Sequence, residues 1–452
     1  MKTRRDFLRI GVKTLSAAGA LTALGKLGEI NALAAGSSYQ ALVCVFLNGG
    51  NDGNNMVVPI NTLSQQYSAY ATARQGLGLA QSALLPVTTK SNETYGLNNV
   101  MPEIQSLYQG GQAAILANVG MLVVPVSNAQ TFNNLPNGSP MIPVNLFSHS
   151  DQATQWQTAA PNELSSTGWG GRIADVVQTL NSGAQFPTVV SSGACGEFCT
   201  GAQTLAGTVP AAGPSVLNGI GNDIARVNGM QQILSFDNGL KLVQAANSIS
   251  NRGITQGTVL NGLLTSAPAL KTVFPAGNPL AAQMNMVARI IGVRSQLGLS
   301  RQIFFCNLDG FDTHGGQAPI QTPLLQQLSQ AIGAFYQATM ELGVSQMVTT
   351  FTASEFGRTV MPNSSAGSDH AWGNHHLIVG GSVAGANIYG TFPDMALGNP
   401  LDVTGRGSLI PTTAVDQYAA TLAQWFGVPS SSLPTVLPNL SNFTAQNLGF
   451  LS

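Results

Sequence analysis

Ionisable side chains are scarce in this 452-residue chain. Asp, Glu, Lys and Arg make up 8% of it, against roughly a quarter in ordinary soluble domains. The formal net charge is −1. No basic stripe exists, so the electrostatic footprint of a nucleic-acid binder is missing and that partner class is excluded. The P-loop lysine and the GxGxxG spacing are also missing, so the glycine-rich "LNGGNDGNN" is not a nucleotide cradle. No GxSxG elbow is present, which excludes the common serine-hydrolase turn. Only four cysteines and five histidines occur.

What is abundant is apolar and small. Hydrophobic residues make up 44%, and there are 51 glycines. That is enough to bury a large core, and the length suits one large α/β domain with insertions or two to three smaller domains.

The N-terminus has a separate purpose. "TRRDFLRIG" sets Arg4 and Arg5 ahead of Phe7 and Leu8, and a mild apolar stretch from Val12 to Leu27 follows. Lys13 and Lys26 interrupt it, so it falls short of the roughly 20 apolar residues that span a bilayer. "ALAAG" then offers Ala32 and Ala34 as a cleavage signal. This pattern predicts a twin-arginine export signal over residues 1–34, removed after Ala34. The mature chain, 35–452, is expected in the periplasm or secreted, with no membrane span. In that oxidising setting Cys195 and Cys199, flanking "GEF" in "SSGACGEFCTGA", are expected to form a local disulfide. Cys44 and Cys306 lie in apolar runs and read as buried, inert thiols.

"ALVCVFL" (41–47), "AAILANVG" (113–120), "RQIFFCNLDG" (301–310) and "QMVTTFTASEF" (346–356) are apolar runs that end at polar or glycine-rich turns. Each reads as a strand buried on both faces. Leu280, Met284, Val287 and Ile291 recur at helical spacing before the third run. Leu324, Leu328, Ile332, Phe335 and Leu342 do so before the fourth. The alternation predicts an α/β fold, doubly wound around a mainly parallel sheet with helices on both faces. Residues from about 187 to 279 are less regular. They read as a partly helical insertion, with short helices around 231–250, within a single domain over 35–452.

Most metal-capable groups fall in four segments. "LNGGNDGNN" offers Asp52; "FSHSDQ" offers Ser148, His149, Ser150 and Asp151; "NLDGFDTHGG" offers Asp309, Asp312 and His314. The fourth, "TASEFGRTV" with "SDHAWGNHHLIVGG", offers Glu355, Arg358, Asp369, His370, His375 and His376. In open α/β sheets, ligands bind beyond the carboxyl ends of the strands, so these loops are expected to converge. Carboxylate with imidazole is the donor mix of zinc, manganese or iron sites. His375 and His376 are consecutive at the start of an apolar strand, so alternation puts them on opposite faces and only one can ligate. Asp52 suits either a ligand or an Asx turn. Glu355 and Arg358 suit either a site role or an ion pair. His149 and Asp151 suit either a site role or loop hydrogen bonding.

"VCVFLNGGNDGNNMVVP", "YGLNNVMPEIQSLYQGGQAAILANVG", "TGWGGRIAD", "NLDGFDTHGG", "SEFGRTV" with "SDHAWGNHHLIVGG", and "GRGSLIPTTAVDQYAATLAQWFGV" resemble, in this order, the bacterial family labelled domain of unknown function 1501. That family is similar to the alkaline phosphatase and sulfatase superfamily. The resemblance implies an alkaline phosphatase-like fold with two metal sites. Asp52, Asp369 and His370 would hold one divalent ion, and Asp312, His314 and His375 or His376 the other, with zinc favoured over manganese, calcium or iron. It implies a Ser, Thr or modified Cys nucleophile close after the first strand; Ser148 and Ser150, which lie far beyond that point, are the candidates here, with a metal-bound hydroxide as the alternative, and Arg358 or Asn51 would contact the charged oxygens. The sulfatase signature C-x-P-S-R is missing, which argues against a formylglycine enzyme. Asn98 and Asn48 stand where many members carry His and Arg. The expected activity is hydrolysis of phosphate or sulfate esters on a small molecule or polymer. The alternatives are hydrolysis of another bond and a non-catalytic binding or secretion-associated protein, and the resemblance suggests a partner from the domain of unknown function 1800 family.

Overall fold

The apolar run that follows Tyr39 becomes the middle of a sheet. A computed structural model describes residues 39–63, 66–163, 165–215, 223–237 and 239–451; the predicted export signal lies outside the described residues. Strand β1 (Gln40–Asn48) is buried along nearly its whole length. Its side chains alternate between two cores. Ala41, Val43, Val45 and Leu47 face one, and Leu42, Cys44 and Phe46 face the other. This period of two is what a sheet covered on both sides requires.

The small antiparallel sheet is formed by β2 (Val57–Asn61), β3 (Leu85–Thr88) and β4 (Thr94–Leu97). The main sheet adds β5 (Ala113–Gly120), β6 (Val189–Ser191), β7 (Gly207–Thr208), β8 (Arg301–Asp309), β9 (Val348–Ala353), β10 (Asn374–Gly380), β11 (Ile388–Gly390) and β12 (Thr413–Ala414). Its order is β11-β5-β10-β9-β1-β8-β6-β7, with β12 also paired to β5. β1 lies parallel to β8 and β9. β10 runs antiparallel to both β9 and β5, so the sheet is mixed although mainly parallel. β6 and β7 belong to it, which carries the sheet into the stretch that the sequence pattern reads as an insertion.

Among the described residues, the α-helices of eight residues or more are α1 (Tyr67–Arg74), α2 (Pro102–Gln109), α3 (His149–Thr158), α4 (Trp169–Val177), α5 (Ile224–Ser235), α6 (Lys241–Ser266), α7 (Pro279–Gly292), α8 (Gln317–Glu341) and α9 (Val415–Phe426). α7 and α8 cover one face through Leu280, Met284, Leu328 and Phe335. α3, α4 and α9 cover the other through Trp156, Trp169 and Tyr418. The periodic stripes legible in the sequence are these buried faces. Each such aliphatic side chain contributes about 1.5–3 kcal/mol on burial, so two cores sustain a fold that has few ion pairs. α6 is one helix of 26 residues, longer than the short helices expected there. Among the described residues, no helix is long and apolar enough to cross a membrane.

Candidate metal centre

β1, β8 and β9 end at one edge of the sheet, and β10, running the opposite way, begins there. The turns after β1 and β8 pass very close. Gly49 has φ +114°, and a Cβ there would strike the backbone of Phe311 and Asp312. A Cβ at Gly50 would strike the Phe356 ring. The glycine pair in "NGGND" is therefore a steric requirement of the crowded edge.

Four side chains meet above it: His149, Asp312, His314 and His370. His149 is the first residue of α3. Asp312 and His314 lie on the turn after β8, and His370 on the loop between β9 and β10. Asp312 Oδ1 stands 3.2 Å from His314 Nε2, 3.4 Å from His149 Nε2 and 3.7 Å from His370 Nε2. The Nε2 atoms of His314 and His370 are 2.8 Å apart.

The other nitrogen of each ring is occupied from behind. His149 Nδ1 meets Glu355 Oε1 at 2.9 Å. His370 Nδ1 meets the Phe147 carbonyl at 2.7 Å. His314 Nδ1 lies 3.5 Å from Asp369 Oδ1. The oxygens bonded to Nδ1 of His149 and His370 hold the proton there and direct the Nε2 lone pair at the cluster, and the longer Asp369 contact orients the His314 ring. Phe147 presents its carbonyl from a left-handed backbone, φ +73°, which costs free energy in a bulky residue.

These donors fit a divalent ion. Ligand bonds of 2.0–2.1 Å in a tetrahedron put donor atoms roughly 3.3–3.4 Å apart, close to the three distances about Asp312. His149 Nε2 is shielded from solvent and has no hydrogen-bond partner, as expected of an atom made to ligate. Charge distribution agrees. Burial raises the Asp312 pKa, but the Arg358 hydrogen bond and charge, with His149 and His314, outweigh this and keep its carboxyl below the ordinary range. Burial lowers His370, favouring its neutral form, whereas the hydrogen bond to Glu355 raises His149.

Of the expected ligands, the structure brings together Asp312, His314 and His370, which the sequence reading divided between two ions. It adds His149, which that reading left open. Asp369 stands one layer back. It receives Asn363 at 3.0 Å and Arg406 at 2.7 Å, and these bonds outweigh burial to hold its pKa low.

Asp52, His375 and His376 correct the expectation, because none of them reaches the cluster. Asp52 is buried in an ion pair with Arg74, receives Gln317 and caps the turn at Asn54. His375 Nδ1 accepts the Asn118 amide at 3.1 Å, and its ring stacks on Phe392. His376 packs beside Trp156 and Tyr418. Burial lowers both pKa values to about 3. They do lie on opposite faces, but each face is core. Arg358 is also not free to contact a substrate. Its buried guanidinium bonds the carbonyls of Gly49, Gly50 and Ser368 and the Asp312 carboxylate, so it braces the loops and does not pair with Glu355. Ser148 and Ser150 flank His149, and Ser148 Oγ donates to Asp151 Oδ2 at 2.5 Å.

Comparison with known proteins gives a family and distant structural likenesses. The family described as Protein of unknown function (DUF1501) matches residues 39–405. No curated protein matches the chain. Similar solved structures include the PsFucS1 sulfatase from Pseudoalteromonas sp., at 10% identity and TM-score 0.32, covering 87% of this chain and 74% of that one. A protein of the alkaline phosphatase superfamily from Vibrio parahaemolyticus matches at 9% identity and TM-score 0.33, covering 86% and 67%. The C-terminal periplasmic domain of EptC from Escherichia coli matches at 8% identity and TM-score 0.35, covering 92% and 88%.

Proposed function

The chain belongs to the family described as Protein of unknown function (DUF1501), and from that premise and the geometry of the cluster we propose that it is an exported, metal-dependent hydrolase of phosphate or sulfate esters. The observation that carries this reading is the convergence of His149, His314 and His370, each ring backed by an oxygen on Nδ1, upon the Asp312 carboxylate. Three imidazoles and one carboxylate favour zinc, with manganese or iron next. Calcium, which takes six to eight oxygens, suits this set poorly.

A divalent ion held by these four residues would supply Lewis-acid polarisation of an ester oxygen. The remaining roles belong to the chain. Glu355 keeps the proton on His149 Nδ1, and the Phe147 carbonyl keeps it on His370 Nδ1. α3 begins at His149, so its first amides, which lack intrahelical partners, lie beside the cluster. Helix N-termini favour oxyanions of the phosphate and sulfate kind. Ser148, in the same turn, is the proposed nucleophile, and Asp151 Oδ2 is placed to hold its hydroxyl proton. Ser150 is the alternate hydroxyl, 3.3 Å from Ser148 Oγ. The Arg4-Arg5 signal supports action outside the cytoplasm.

A second reading rests on one feature. Four protein donors close a tetrahedral shell, as in structural zinc sites, and would suit a non-catalytic binding protein. Metal analysis of the purified full chain, paired with release of p-nitrophenol from its phosphate and sulfate esters, decides between them. Under the first reading, about one equivalent of metal per chain is bound, ester turnover follows it, and both are lost in His370→Ala. Bound metal without turnover favours the second reading, and metal-free protein that cannot be loaded overturns both.

A further inference from the structure

A second chemically equipped place lies at the end of β6, apart from the metal cluster. All four cysteines are free thiols, including the two expected to be bonded. Cys44 and Cys306 are sealed within the sheet, on β1 and β8. Cys195 and Cys199 instead share the loop that leaves β6. Burial, and next to it a side-chain contact with Cys195, push the Cys199 thiol pKa up. Cys199 is buried among the core side chains beneath the loop, while Cys195 is partly exposed.

The loop that holds them is anchored on both sides. The Ala194 amide donates to Asn307 Oδ1 on β8, and the Phe198 amide donates to Gln157 Oε1 on α3, each at 3.1 Å. The Thr200 carbonyl accepts the Gly168 amide at 2.8 Å, where α4 begins. Both cysteines are therefore kept on one short stretch of backbone that is pinned at each end. One sulfur can be reached from solvent and the other cannot, an arrangement suited to attack followed by resolution.

We propose that Cys195 and Cys199 are a redox pair that closes to a disulfide when the protein meets a disulfide oxidant, small-molecule or protein. Cys195, as thiolate, attacks the external disulfide. One thiol leaves, and a mixed disulfide remains on Cys195. Cys199 then gives up its proton, its sulfur attacks Cys195 Sγ, and the second thiol leaves. Two cysteine thiols are oxidised, and one external disulfide is reduced to two thiols that carry away both protons. Closure staples the loop between α3, which bears His149, and β8, which leads to Asp312. It does not depend on the hydrolase reading.

The test uses the full chain, reduced and then incubated with excess oxidised glutathione, followed by intact mass and peptide mapping. The expected product has lost two hydrogens, links the Cys195 and Cys199 peptides, and leaves Cys44 and Cys306 free to alkylation after unfolding. Its Tm rises by about 2–4 °C over the reduced form, the scale of a short disulfide loop in a chain of this size. Cys199→Ser is expected to halt at a stable glutathione adduct on Cys195. Cys195→Ser, altered at the more exposed position, is expected to take up no glutathione while folded. A wild-type adduct that never resolves, a link through Cys44 or Cys306, or no reaction would overturn the proposal.

Discussion

Three histidines become a site through their back nitrogens. An imidazole whose Nδ1 proton is held by an oxygen presents an unprotonated Nε2, and three of these turned toward a carboxylate repel unless a cation or shared protons intervene. Glu355 is the strongest of the backing groups, because it is a buried carboxylate that also receives the Gly49 amide at 2.8 Å. Glu355→Gln is expected to weaken metal affinity by about 10–100-fold, read by competition with a chromophoric chelator. Because Glu355 raises His149, protons compete better with metal in the wild type, whose affinity falls as the solution is acidified; the variant should show a shallower fall. Unchanged affinity would remove Glu355 from the centre. The sequence displayed this chemistry only in part. It showed His and Asp gathered in "SDHAWGNHH", but not which rings face solvent. His375 and His376 failed as ligands because β10 is buried on both sides, whereas His149 gains its partner 206 positions away, a distance no local pattern reports.

Elements carry the site only if their loops are held, and here a buried polar brace does so. Arg74, the last residue of α1, pairs with Asp52 and donates at 3.0 Å to each of the Thr359 and Val360 carbonyls. It thus ties the turn after β1 to the loop that carries Asp369 and His370. Both partners are fully buried, so breaking the pair leaves an uncompensated charge in the core. Arg74→Met is expected to cost about 3–5 kcal/mol, read as a lower urea midpoint, and to lower metal affinity with it. A loss below about 1 kcal/mol would mean that solvent or a new partner reaches Asp52. The strands themselves were legible, because two-sided burial writes continuous apolar runs such as 41–47 and 303–306. The direction of β10 was not, since antiparallel and parallel burial write the same run. Nor was the membership of β6 and β7, which are too short, at three and two residues, to show periodicity.

At the scale of the whole molecule, a chain so sparing of charge makes each buried ionisable group count toward stability. Asp416, in the first turn of α9, is fully buried, and burial pushes its pKa up to about 7, with Arg172 opposing without offsetting. The unfolded value is about 3.9, so the folded state binds this proton more tightly than the unfolded state does. Stability from this group is therefore complete below about pH 4, declines as the pH rises toward 7, and is lost above it. His149, also raised in the folded state, adds a loss of the same sign in metal-free protein. His375 and His376 oppose this: burial lowers their folded values to about 3, so they cost stability below the unfolded value of about 6.5 and that cost fades as the pH rises; the Asp416 share is therefore read against a variant and not from the wild-type profile alone. Asp416→Asn removes the ionisable group while keeping the shape. It is expected to remove the Asp416 share of the pH dependence, so that the variant gains on the wild type as the pH rises from 5 to 8, and to be the more stable at pH 8 by on the order of 2–4 kcal/mol. Denaturant unfolding of both proteins at pH 5 and pH 8, with metal removed, measures it. Parallel pH profiles for the two would show that Asp416 keeps a stabilised charge in the fold and does not set the pH dependence.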